Sequence, residues 1–72
     1  MSNEVLFRLK GAPVYRGSLV VYQPDPDLPQ PVEGRPCIVL DFVWEDDSRM
    51  HVVEVLMDGA VWHCMRTDLT LV

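Results

Sequence analysis

An all-β domain is what the sequence predicts, and three observations carry that prediction. The larger hydrophobes recur at every second position through 37–45, and 51–57 read as a second period-two run. Gly, Pro and Asp clusters bound each apolar run. No stretch shows helical periodicity for longer than a turn. The chain has 72 residues, the size of one domain, and a domain this small buries only roughly 60% of the surface it exposes when unfolded. The core is therefore expected to be thin, with little room for an enclosed, dry site. Apolar residues make up 49% and charged residues 24% of the chain, a globular balance that argues against disorder.

Taken in order, residues 4–9 (EVLFRL) read as a short first strand, ended by the turn residues Gly11 and Pro13. Gly17-Ser18 opens a second strand at 19–22 (LVVY), rich in β-branched and aromatic side chains. Positions 23–36 then hold five of the six prolines. Proline fixes φ and cannot donate to a ladder, so this is read as one long, partly polyproline-like loop. Too little chain precedes it for it to divide two domains, so residues 1–72 are taken as one.

Beyond the loop, residues 37–45 (CIVLDFVWE) put Ile38, Leu40, Phe42 and Trp44 on one parity, and the larger hydrophobes are expected to face the core. Glu45-Asp46-Asp47-Ser48 reads as a charged turn. Residues 51–57 resume the alternation, with His51, Val53, Val55 and Met57 opposite Val52, Glu54 and Leu56. Asp58-Gly59 is the strongest hairpin signal, since a type I′ turn needs positive φ that Asp and Gly tolerate. Residues 60–65 form the return strand, Thr67-Asp68-Leu69 is turn-like, and Leu71-Val72 adds a last apolar pair. Five or six short strands cannot lie in one flat sheet without exposing long edges, which predicts a small barrel or two orthogonally packed sheets.

Composition narrows the function. Six basic and eleven acidic residues leave a net charge of −5. Nucleic-acid backbones attract clustered positive charge, whereas these cations are scattered, so a protein partner is expected over a nucleic acid. Cys37 and Cys64 belong to no Cys-x-x-Cys pair and read as reduced, buried thiols. No apolar run approaches membrane-spanning length, and the first residues do not read as a signal peptide. The expected setting is a cell's cytoplasm, or a particle assembled there.

Catalytic and metal chemistry find little support. His63 and Cys64, with His51 and Cys37 the soft metal-ligand candidates, are adjacent in a strand and point to opposite faces, so the two cannot share one ion without a bulge. Asp25-x-Asp27 lacks the rest of a calcium loop. Ser18, Ser48 and the cysteines carry no nucleophile signature, and the glycines sit at turns rather than in a phosphate loop. No enzyme activity, cofactor or metal is expected. Aromatic residues offer more. Tyr22 and Trp44 are candidates for a peptide-gripping groove, while Phe42 and Trp62 are assigned to the core. The late strands also carry apolar residues on both faces, Val52 and Leu56 opposite Val53 and Val55, then Val61 and Met65 opposite Trp62 and Cys64. A small barrel has one inside, so the second face is either covered by the strand at 4–9 or docked on another chain. The candidate partner-binding residues are Tyr22, Trp44, Val52, Leu56, Val61 and Met65, and a homo-oligomer or a larger assembly is expected.

The order of GSLVVY at 17–22, the proline-rich loop, IVLDF at 38–42, VEVLMDG at 53–59 and TDLTLV at 67–72 resembles a Src-homology-3-like barrel of short antiparallel strands, with one 3₁₀ turn before a closing strand. More narrowly, it is similar to small barrels encoded by tailed bacteriophages of the cyanophage type. Ser18, Met57 and Thr67 stand where that pattern has Asp, Trp and Ser, and residues 1–16 lie outside it as an extension or extra strand. The resemblance implies a non-enzymatic, phage-encoded interaction module, a minor virion component or a host-interaction factor. One alternative resembles the KOW-type nucleic-acid-associated barrels and needs Arg8, Lys10, Arg16 and Arg66 on one side. Another is an acidic regulatory or inhibitory subunit that mimics nucleic acid toward a basic partner.

Overall fold

The computed structural model describes residues 4–24 and 34–72. Seven strands and one 3₁₀ turn run in the order β1 (Phe7–Leu9), β2 (Ala12–Val14), β3 (Leu19–Tyr22), β4 (Arg35–Glu45), β5 (Met50–Met57), β6 (Ala60–Cys64), the 3₁₀ turn (Arg66–Asp68) and β7 (Leu69–Leu71). The protein is all-β with antiparallel pairing throughout. β1 and β2 form a two-stranded hairpin, and the other five strands make one sheet in the order β6-β5-β4-β3-β7. Among the described residues no pairing joins β6 to β7, so both are edges.

The turns explain why these segments pair. Asp58 and Gly59 both have positive φ, 54° and 77°, which gives the two-residue turn expected between β5 and β6. Lys10 and Gly11 do the same at 48° and 83° and start a hairpin where the sequence reading ended a strand. Pro13 lies within β2, opposite Arg8; β2 has a free side, so the missing N–H costs no ladder bond. The proline-rich loop also ends earlier than expected, because Arg35 and Pro36 already belong to β4, opposite Tyr22 and Val21. The rest of that loop, with Asp25-x-Asp27, falls at positions 25–33, outside the described residues.

One core serves the whole fold. Phe7, Leu9 and Val14 from the hairpin are buried with Val20, Cys37, Val39, Val53, Val55, Met57, Cys64 and Leu69 from the sheet. The N-terminal strand therefore fills the inner face of the sheet and does not cover its second apolar face. A β-bulge in β4 overturns the expected facing of 37–45. Val39 pairs with Val55 and Asp41 with Glu54, leaving Leu40 as the extra residue. One inserted residue switches the parity, so Cys37 and Val39 face inward before the bulge and Phe42 after it. Ile38 is exposed instead, while Trp44, on the Phe42 side, is exposed because the strand there runs past the core, as its place at the strand's end beside the acidic turn suggested. Valines and a cysteine fit a thin core where larger side chains would overfill it. Trp62 is likewise no core residue: it is half exposed, and its indole Nε1 donates to the Met57 carbonyl at 3.1 Å.

Past the bulge, among the described residues, Val43–Glu45 of β4 and Met50–Val52 of β5 pair only with each other. This two-stranded ribbon extends beyond the five-stranded part and carries the acidic turn at its tip.

Candidate functional site

Register places four apolar residues in one row on the outer face. Leu19 lies opposite Ile38, Ile38 opposite Leu56, and Leu56 opposite Val61. Ile38 and Leu56 sit between buried neighbours, and the exposures of the four are 54%, 39%, 38% and 57%. The row crosses four strands, roughly 14 Å at normal strand spacing. Pro36 and Val21 extend it on one side. Polar pairs rim it: the ion pairs of Arg16 with Asp41 at 3.0 Å and of Arg35 with Asp58, and a hydrogen bond between His63 and Glu54 at 3.3 Å. An apolar strip framed by charges of both signs is the anatomy of a protein-docking surface.

The other candidates fall elsewhere. Val52 is 6% exposed and presents nothing to a partner. Its short side chain sits between the longer Glu45/Met50 and Asp41/Glu54 cross-strand rows. Met65 is exposed but lies past the end of β6, beside the 3₁₀ turn, away from Leu56 and Val61. Tyr22 pairs with Arg35 at the start of β4, and Trp44 lies nine residues further along that strand. At 3.3 Å per residue that is roughly 30 Å, so the two cannot line one groove. Tyr22 instead borders a small cavity of about 120 Å³ with Val55, Met57, Trp62 and Cys64. This cavity brings side chains of β3 and β6 together. Burial raises the Tyr22 hydroxyl pKa, helped by Asp68 and Cys64.

Both cysteines are free and buried. Burial, followed by the charges of Cys37 and Asp68, pushes the Cys64 thiol up to about 11. Burial also raises Cys37, partly offset by a backbone hydrogen bond from Tyr22. These thiols are protonated at neutral pH and poor nucleophiles. An unfolded thiol titrates near 9.0 and the folded Cys64 near 11, so above pH 9 the unfolded state releases its proton first. The stability is fully present below pH 9 and is lost as pH rises toward 11, by about 2 kcal/mol for Cys64 alone. Urea denaturation at pH 8 and pH 11 should show that loss, and Cys64→Ala should remove most of it. An equal alkaline loss in the variant would assign the effect to other groups.

A second surface surrounds the 3₁₀ turn. On one side Phe42, Met50, His51 and Met65 line a groove of about 400 Å³ together with Arg66 and Thr67. On the other, Arg8, Leu9, Lys10 and Leu69 line one of about 410 Å³ with the same Arg66 and Thr67. Three of the four cations required by the KOW-type alternative thus meet in one place, while Arg16 is held by Asp41. Sequence reading named these cations only as what that alternative requires, because Arg66 is more than fifty positions from Arg8 and meets it only through the packing of the β1–β2 hairpin. No family model, curated protein or solved structure matches the chain.

Proposed function

We propose that the protein is a non-enzymatic association module, a small Src-homology-3-like barrel whose outer sheet face docks on a second protein surface, another copy first of all. The observation that carries this reading is the exposed Leu19–Ile38–Leu56–Val61 row, a continuous apolar strip with no cover from its own chain among the described residues. The barrel reading is supported by the strand order β6-β5-β4-β3-β7 and by the 3₁₀ turn between β6 and β7. Together these match the layout that residues 17–72 resemble. A phage-encoded virion component or host-interaction factor is the setting which that resemblance suggests.

Molar mass by light scattering, at two protein concentrations and two salt strengths, tests the proposal. The expected result is a mass above that of one chain that high salt leaves intact, because an apolar contact is not screened. A single-chain mass under every condition would remove self-association through this face.

A further inference from the structure

We infer that the surface around the 3₁₀ turn binds a single-stranded nucleic-acid segment, with phosphates held by Arg8, Lys10 and Arg66 and bases laid on the aromatic side of the β4–β5 ribbon. The two grooves share Arg66 and Thr67, so they are halves of one path across the turn. This surface is separate from the outer apolar row and does not depend on it.

The electrostatics of the path differ from those of the whole chain. Three of the six basic residues line its hairpin half. Two others, Arg16 and Arg35, are paired with carboxylates elsewhere. Among the described residues no carboxylate lines either groove. Asp68, the nearest in sequence, accepts a hydrogen bond from the Met65 backbone N–H at 3.2 Å. Arg8 donates to the Gly11 carbonyl at 2.9 Å, which steadies its guanidinium and leaves further donors unused. Of the acidic residues that make the net charge −5, Asp46 stands at the far end of the aromatic half, accepting a hydrogen bond from the Trp44 indole at 2.9 Å, so phosphates belong at the hairpin half. At physiological salt a charge is screened beyond about 8 Å. Local charge therefore governs a ligand seated in the groove.

The ribbon half supplies flat apolar surface. His51 stacks on Phe42 with centroids 4.9 Å apart and planes 20° off parallel, and Trp44 meets His51 edge-on at 5.1 Å. Trp44 is 54% exposed, although an indole of this size is normally spent on the core of a small domain. Arg66 lines one groove with His51 and Phe42, so a ligand that uses both halves must carry anions along one part and a flat π-face along the next. A nucleotide strand repeats that pair at every unit. An acidic peptide would satisfy the cations and leave the aromatic half idle. In a duplex the stacked bases turn their faces away from such a surface.

Fluorescence anisotropy with a labelled oligothymidylate tests the assignment on the full chain, with the same sequence as a duplex and a poly-glutamate competitor beside it. The single strand should bind at low salt, and log K should fall with log salt at a slope of about −2, the value for three neutralised phosphates on a single strand. Arg66→Glu and Lys10→Glu should each weaken binding and flatten that slope. Trp44→Ala should weaken it about tenfold with the slope unchanged, because stacking releases no counterions. Leu56→Glu and Arg16→Glu, outside the path, should bind like the parent. All these side chains are exposed, and circular dichroism checks that each variant folds. Absence of binding at low salt, equal binding by the Arg66→Glu variant, or complete displacement by poly-glutamate would each overturn the inference. A preference for the duplex would do the same.

Discussion

Leu56→Glu is expected to abolish the proposed self-association while leaving the fold in place. Leu56 sits in the middle of the outer row, between Ile38 on β4 and Val61 on β6, and points away from the core. A carboxylate there remains in water in the monomer. The substitution should cost the fold no more than about 1 kcal/mol, the span of strand propensities. In a docked face the same carboxylate would be buried without a partner, close to Glu54 on its own strand. An unpaired buried charge costs several kcal/mol, and 3 kcal/mol is already about a hundredfold in affinity. Light scattering should then report a single chain that still unfolds in one cooperative thermal transition, with its midpoint lowered by no more than about 8 °C through the substitution itself and further by the loss of association. Met65→Glu is the control, since Met65 lies beside the 3₁₀ turn and off this face. If Leu56→Glu keeps both its fold and the parent's mass, the outer row is not the interface.

That contrast between Leu56 and Met65 shows what the sequence could tell and where it stopped. The Asp58-Gly59 turn fixes which residues oppose each other in β5 and β6, so the pairing of Leu56 with Val61 follows from counting outward from it. Parity breaks down where the strand does. Met65 shares the parity of Val61, but β6 ends at Cys64 and the chain turns. Within β4 the run CIVLDFVWE is apolar on both parities, so the bulge at Leu40 leaves no mark on the period and inverts every side chain beyond it. Val52 and Leu56 read alike as outward apolar residues. Only the cross-strand rows on either side of Val52 distinguish it, and those depend on the same bulge. The convergence of Arg8, Lys10 and Arg66 was the least legible feature, because no local rule says where a terminal hairpin docks.

Removing residues 1–16 is expected to unfold the protein. The resemblance to a five-stranded barrel covers residues 17–72 and makes the preceding segment look dispensable, yet the core is built otherwise. Phe7, Leu9 and Val14 are buried in the same cluster as Val39, Val53 and Val55, and the Phe7 ring lies 5.0 Å from that of Phe42. Without the hairpin these valines would face water on one side. A domain of this length has a total stability of about 4–10 kcal/mol. Truncating one buried phenylalanine costs about 3–5 kcal/mol, so Phe7→Ala alone should consume much of the margin, and losing three buried residues together should exceed it. Far-ultraviolet circular dichroism and urea titration of the chain starting at Gly17 should show no cooperative transition. Arg8→Ala, on the exposed side of the same hairpin, should stay within about 0.5 kcal/mol of the parent. If the shortened chain instead unfolds cooperatively near the parent's midpoint, the sheet holds its core alone. The hairpin would then be an appendage whose remaining role is to bring Arg8 and Lys10 beside Arg66.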